Sequence, residues 1–237
     1  MLVRALKLLL GVFLLPACVA ATLVLKREVF GVLKTELYFF AGLFTYLILL
    51  AIFQQPIRTY IFGHELTHVL WVWIFGGRVR GFKASAAKGQ VRASKSNFLI
   101  FLAPYFFPLY SILAIALYLG LQYFFPLPSG LKILGFVLGF TWAFHITFTV
   151  YVLIQGQPDV WATGRVFSLP FIYVANVVVL ACLIIFSSPE LSYRQFFSTL
   201  WKGVRDSYLQ IWHAAPGFYD LCRVRLEDWI SRVGLRG

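Results

Sequence analysis

Six long apolar runs separated by short polar breaks leave this chain few folds to choose from. They are Leu8 to Leu25, Leu37 to Phe53, Ile57 to Phe75, Phe98 to Phe125, Leu131 to Ile154 and Phe171 to Phe186. Crossing a bilayer takes about 20 apolar residues per helix, so the two shortest runs suffice only with aromatic ends in the interface. Hydrocarbon offers a backbone no hydrogen-bond partner, so uninterrupted runs of this kind must be helices. With 60% hydrophobic and 13% charged residues, the chain is too apolar for a soluble domain, in which about a quarter of residues are charged. The expected fold class is an all-α polytopic membrane protein with about six transmembrane helices in residues 1–187 and a distinct tail in 188–237.

The breaks carry the polarity. Gly76-Gly77 ends the third run, and the loop after it holds Arg78, Arg80, Lys83, Lys88, Arg92 and Lys95 without an acid. A loop of that kind belongs in the cytoplasm. A turn at Lys88-Gly89 allows it a short β-hairpin, with a solvated basic loop as the alternative. Pro104 and Pro108 are expected to kink the fourth run or to open a turn that makes it re-entrant. In the tail, Phe197, Leu200, Val204, Tyr208 and Ile211 recur at helical spacing, and after Pro216-Gly217 so do Leu221, Cys222, Leu226, Trp229 and Val233. These read as two amphipathic helices, lying on a membrane surface or packed on the bundle.

The formal charge of +12 is assigned to cytoplasmic loops and anionic lipid headgroups rather than to nucleic acid. Six spans with a cytoplasmic basic loop place both ends outside, against the basic residues Arg4 and Lys7 and those of the tail. Cys18, Cys182 and Cys222 lack metal or disulfide spacing. Leu15-Pro16-Ala17-Cys18 loosely resembles a lipoprotein cleavage box, but the apolar run continues past it, which favours a first span.

Inside the third run stands Gly63-His64-Glu65-Leu66-Thr67-His68. Four residues apart on a helix, His64 and His68 share one face, the geometry in which two imidazoles grip one metal ion. Glu65 beside them is placed as a general base for water at that metal. Ionisable groups at bilayer depth are costly and usually functional, and this segment holds three within five residues.

A catalytic zinc takes three protein ligands and keeps one position open. Of the nine acids, most flank the second run or lie in the tail, so Asp159, in the break after the fifth run, is the favoured third ligand. It must reach inward on a dipping segment, which Gly156 and Pro158 permit. His145 is the rival. About 20 Å separates the two along a straight helix, so they do not serve one metal together.

These features resemble the site-2 protease family of intramembrane zinc metalloproteases: an H-E-x-x-H motif in a transmembrane helix, a Gly-Gly and possible hairpin, an Ala-Pro in the next span, and an aspartate two spans on. The resemblance covers about Ile57 to Gly164. It implies His64, His68 and Asp159 as zinc ligands, Glu65 as catalytic base, and a transmembrane protein as substrate. It also implies residence in the bilayer of a bacterial-type cell membrane. The sequence departs from the family at Thr67, where a glycine is usual, and at Tyr151 and Gln157-Pro158-Asp159-Val160-Trp161, where N-x-x-P and L-D-G are usual. Two other functions fit the same residues: an ion or proton transporter using the buried cluster, and a catalytically silent relative that holds membrane clients.

Overall fold

The structure is a computed structural model that describes residues 2–30, 37–85 and 89–233. Among the described residues, nine helices and one hairpin follow in the order α1 (Leu2–Glu28), α2 (Leu37–Ile52), α3 (Ile57–Ile74), β1 (Val79–Ala84), β2 (Gly89–Ala93), α4 (Phe98–Phe106), α5 (Leu109–Phe124), α6 (Gly130–Gln155), α7 (Pro158–Thr163), α8 (Arg165–Ser187) and α9 (Tyr193–Val233). Three of the described helices are long and apolar enough to cross a membrane: Val3–Glu28, Gly130–Gln155 and Arg165–Ser187. The pair α4 and α5 makes a fourth if its 72° bend is one broken span, and α2 is a shorter apolar helix.

The bend falls where two prolines dictate it. Pro108 cannot donate to the helix and disfavours helical geometry in the residue before it. Phe107 accordingly takes an extended conformation and ends α4. The hairpin forms as the basic loop allowed, antiparallel from Val79 opposite Ala93 to Ala84 opposite Gly89. Lys88, half of the expected turn, lies outside the described residues.

Side-chain contacts fix the direction of each helix. Helix α2 runs parallel to α6, with Tyr38 beneath Lys132 and Tyr46 against Phe140 and Phe144. Ser111 bonds Thr141 at 2.9 Å, and Tyr118 lies against Gly130, so α5 is antiparallel to α6. Helix α1 runs parallel to α8: Gly11 abuts the Val166 carbonyl, and Thr22 meets the Tyr173 hydroxyl at 2.7 Å. The start of α1, the ends of α2 and α6, the start of α8 and the short α7 therefore gather at one end of the bundle. Lys7 passes over Gly164 there.

The tail differs from expectation in its continuity and takes the second of its two expected places. It is one helix through Pro216 and Gly217 rather than two, and its first half packs antiparallel on α1, against the bundle. Gln195 bonds Glu28 at 2.8 Å, Gly203 sits on Ala20 and Val24, and the Tyr208 ring stacks on Phe13 at 4.5 Å.

In lipid, which is as apolar as leucine, helices of this kind associate by close packing rather than by escape from water. Gly42 and Gly139 bring α2 and α6 into backbone contact: a Cβ on either would strike the other helix, at Phe136 and at Phe39 respectively. Gly139→Val is expected to destabilise the bundle by about 3 kcal/mol. Gly120→Ala, on α5 with nothing within 4 Å, is expected to change stability by less than about 1 kcal/mol. Thermal unfolding of the two variants in detergent checks the contrast.

Candidate metal centre

Helix α3 carries His64 and His68 on one face, their rings 5.0 Å apart. Asp159 comes from the far side of the chain, on the first turn of α7. Glycines with positive φ make that approach possible. Gly156 at +79° ends α6, and Gly164 at +96° starts α8, so a six-residue helix is turned back between two long ones. Side chains other than glycine rarely tolerate such angles.

In this arrangement Asp159 Oδ2 lies 3.7 Å from His64 Nε2 and 3.5 Å from His68 Nε2. One ligand atom from each of the three residues lies within 4.8 Å of the others, so the group can hold a metal ion. Burial alone would raise the Asp159 carboxyl, but the two imidazoles beside it outweigh burial and hold it below the ordinary carboxylate range. It is therefore ionised at neutral pH, the form a metal requires.

Each ligand is held from behind. His68 Nδ1 lies 2.8 Å from the Ile100 carbonyl and donates its proton there, so that Nε2, which faces Asp159, becomes a ligand once a metal displaces its own proton. That carbonyl is free for a reason written in the sequence: its helical donor would be the N–H of residue 104, and residue 104 is proline. His64 Nδ1 meets the Tyr60 hydroxyl at 3.1 Å. Tyr60 is itself stacked on Phe148 at 4.8 Å. The Tyr105 hydroxyl donates to Asp159 Oδ2 at 3.1 Å while its ring packs edge-on against His64. Tyr105 is wholly buried, and Asn176 of α8 grips its carbonyl at 2.8 Å.

Glu65 is 8% exposed and lies outside the metal group. Gly89, which opens β2, packs so closely on its carboxyl that a side chain there would overlap it. Two clefts meet at Glu65. One, of about 530 Å³, is bounded by His68, Val91, Lys95 and Asp159; the other, of about 400 Å³, by Ile57, Tyr60, Tyr151 and Gln155. Both reach His64, Glu65 and Gly89.

His145 stays apart from this group. It is buried on α6, its Nε2 lacks a hydrogen-bond partner among the described residues, and it shares with His64 only a cavity of about 20 Å³. Of two further polar residues near the motif, Thr67 turns its hydroxyl to the Gly63 carbonyl and Asn97 caps α4 through the Ile100 N–H. Tyr60, Tyr105 and the Ile100 carbonyl are members of the site that the motif does not announce. Tyr60 stands one turn before His64, and Pro104 one turn after Ile100, which are the signals that point to them.

No protein-family model, curated protein or solved structure matches the chain.

In metal titrations of the purified protein, His64→Ala, His68→Ala and Asp159→Ala are each expected to weaken binding by about a hundredfold or more. Tyr105→Phe, which removes only the hydroxyl behind Asp159, should cost about tenfold, and Glu65→Gln should leave binding intact. Because both imidazoles must be neutral to bind, wild-type metal should be released as pH falls below about 6.

Proposed function

We propose that the chain is an intramembrane zinc metalloprotease that hydrolyses peptide bonds in or near transmembrane segments of other proteins. The observation that carries this reading is the arrival of Asp159 between His64 and His68, with Glu65 lining the same clefts. Two imidazoles and one carboxylate are the donor set of a catalytic zinc. A tetrahedral zinc with bonds of about 2.0–2.1 Å holds its ligand atoms about 3.3–3.5 Å apart. The separations of 3.5 and 3.7 Å around Asp159 Oδ2 fit with little adjustment.

Bound there, zinc supplies a Lewis acid that polarises a peptide carbonyl and acidifies water. The chain's own residues do the rest. Glu65 takes the proton of the attacking water and returns it to the leaving amine. Tyr105 and the Ile100 carbonyl keep Asp159 and His68 in one orientation, so no reorganisation is needed during reaction. The backbone of β2, beside the metal group, offers an edge for an extended peptide. A helical substrate hides its peptide bonds in its own hydrogen bonds, so such an extended form is what the clefts must receive.

Helix directions also bear on orientation. We read α1, α2, the bent pair α4 and α5, α6 and α8 as crossing the bilayer, with the α7 end in the cytoplasm. Arg4, Lys7, Arg165 and the basic hairpin then share that side, and the antiparallel course of α9 on α1 directs its C-terminal half, with Arg223 and Arg225, toward the same side. The positive-inside rule is met. The outside placement of both ends that six spans demanded is replaced by this one.

The test is cleavage of a library of transmembrane peptides by the protein in liposomes, with products read by mass spectrometry. Cutting that stops on zinc chelation and falls about a thousandfold in Glu65→Gln is the expected result. Metal or proton flux without any peptide product would assign the cluster to transport instead.

A further inference from the structure

The end of the bundle where α7 turns also carries a groove that the metal centre does not use. It lies on the outer surface between α1 and α8, about 300 Å³ in volume, walled by Val12, Leu15, Leu169 and Pro170 and bounded by Arg165. Val12, Leu15 and Leu169 are half-exposed, and both helices are long and apolar enough to cross a membrane, so in a bilayer the groove opens to lipid rather than to water. Leu15 stands eight residues along α1 from Lys7, about 12 Å at helical rise. Half of a hydrocarbon core is about 15 Å, so the groove stays within one leaflet.

Cations gather at its mouth. Arg165 begins α8, and its guanidinium lies 3.7 Å from the centre of the Trp161 ring. Stacking of that kind fixes a guanidinium without using its N–H donors. Trp161 is 58% exposed, and an exposed indole beside the end of a span marks headgroup height. The Lys7 stem passes over Gly164, next to Arg165, and Arg4 stands one turn before Lys7 on the same face of α1. Among the described residues no carboxylate pairs with any of these three cations. The start of α8 adds the positive end of a helix dipole. Positive charge at headgroup height above an apolar groove is complementary to one class of molecule, a phosphate anion that carries an acyl chain.

We propose that this groove is the binding site for one anionic phospholipid, its phosphate held by Arg165 and Lys7 and one acyl chain lying along Val12, Leu15 and Leu169. The planar fork of Arg165 suits two oxygens of one phosphate, and Lys7 supplies a point charge beside it. Binding there is independent of the protease reading and requires only that α1 and α8 lie in the bilayer. The lipid then bridges the starts of α1 and α8 beside Gly164, behind the turn that presents Asp159.

Native mass spectrometry of the full-length protein in detergent, titrated with phosphatidylglycerol or with phosphatidylcholine of the same acyl chains, tests this. One phosphatidylglycerol is expected to be retained about tenfold more tightly than phosphatidylcholine. Lys7→Gln with Arg165→Gln should abolish that preference, a loss of about tenfold. Leu169→Trp, which keeps both cations and fills the groove, should cost about as much, roughly tenfold. Arg80→Gln with Lys83→Gln removes the same charge from the hairpin and should leave binding unchanged. Inorganic phosphate at millimolar concentration should fail to displace the lipid. Unfolding of each variant at the wild-type temperature without added lipid shows that a loss came from the site and not from misfolding. Equal retention of the two lipids, a hairpin variant as impaired as the Lys7 and Arg165 pair, or binding indifferent to Leu169→Trp would each overturn the proposal. Displacement by inorganic phosphate would do the same and assign the cations to a free anion.

Discussion

A half-buried carboxylate among apolar helices has to be matched, and the matching of Asp159 by two imidazoles is the interaction on which this architecture turns. An ionised group left alone in such surroundings is costly enough that it shifts its protonation or does not occur. The surrounding fold follows from that demand. Asp159 reaches the histidines only because α7 is turned back between Gly156 and Gly164, and it stays there because Tyr105 donates to the same oxygen that faces both rings. Tyr105 is in turn fixed by Asn176, so α3, α4, α7 and α8 are tied through one chain of polar contacts.

Proline has two roles in that chain. At 108 it breaks the fourth apolar run into two helices set at 72°. At 104 it sits inside α4 and withholds an N–H, which frees the Ile100 carbonyl for His68. A gap in helix hydrogen bonding thus becomes the contact that orients His68, a candidate metal ligand.

The parts of the site that sequence reveals are those fixed by local spacing or by scarcity. His64, Glu65 and His68 are legible because helical pitch alone places them together. Asp159 is legible because an apolar chain offers few acids to choose from. The partners of the Ile100 carbonyl and the Tyr105 hydroxyl are not: Pro104 signals that the carbonyl is free, but nothing in the local pattern shows what lies across 32 and 54 positions of chain. The tail shows the same limit. Its helical periodicity correctly marks an apolar face, but periodicity cannot say what that face packs against. Gly203 and Tyr208 find α1 rather than a membrane surface, and Pro216 is carried within the helix. Helix direction was equally hidden, and it is direction, read from pairs such as Thr22 with Tyr173, that brings the start of α1, with Arg4 and Lys7, to the α7 end of the bundle.

The measurement that tests the central claim most directly is X-ray absorption at the zinc edge on protein purified without added metal and then loaded with one equivalent. The account predicts a shell of nitrogen and oxygen alone at about 2.0–2.1 Å, with imidazole scattering from two histidines that falls to one in His68→Ala. Sulfur at about 2.3 Å, or an imidazole count unmoved by loss of His68, would place the metal elsewhere and contradict it.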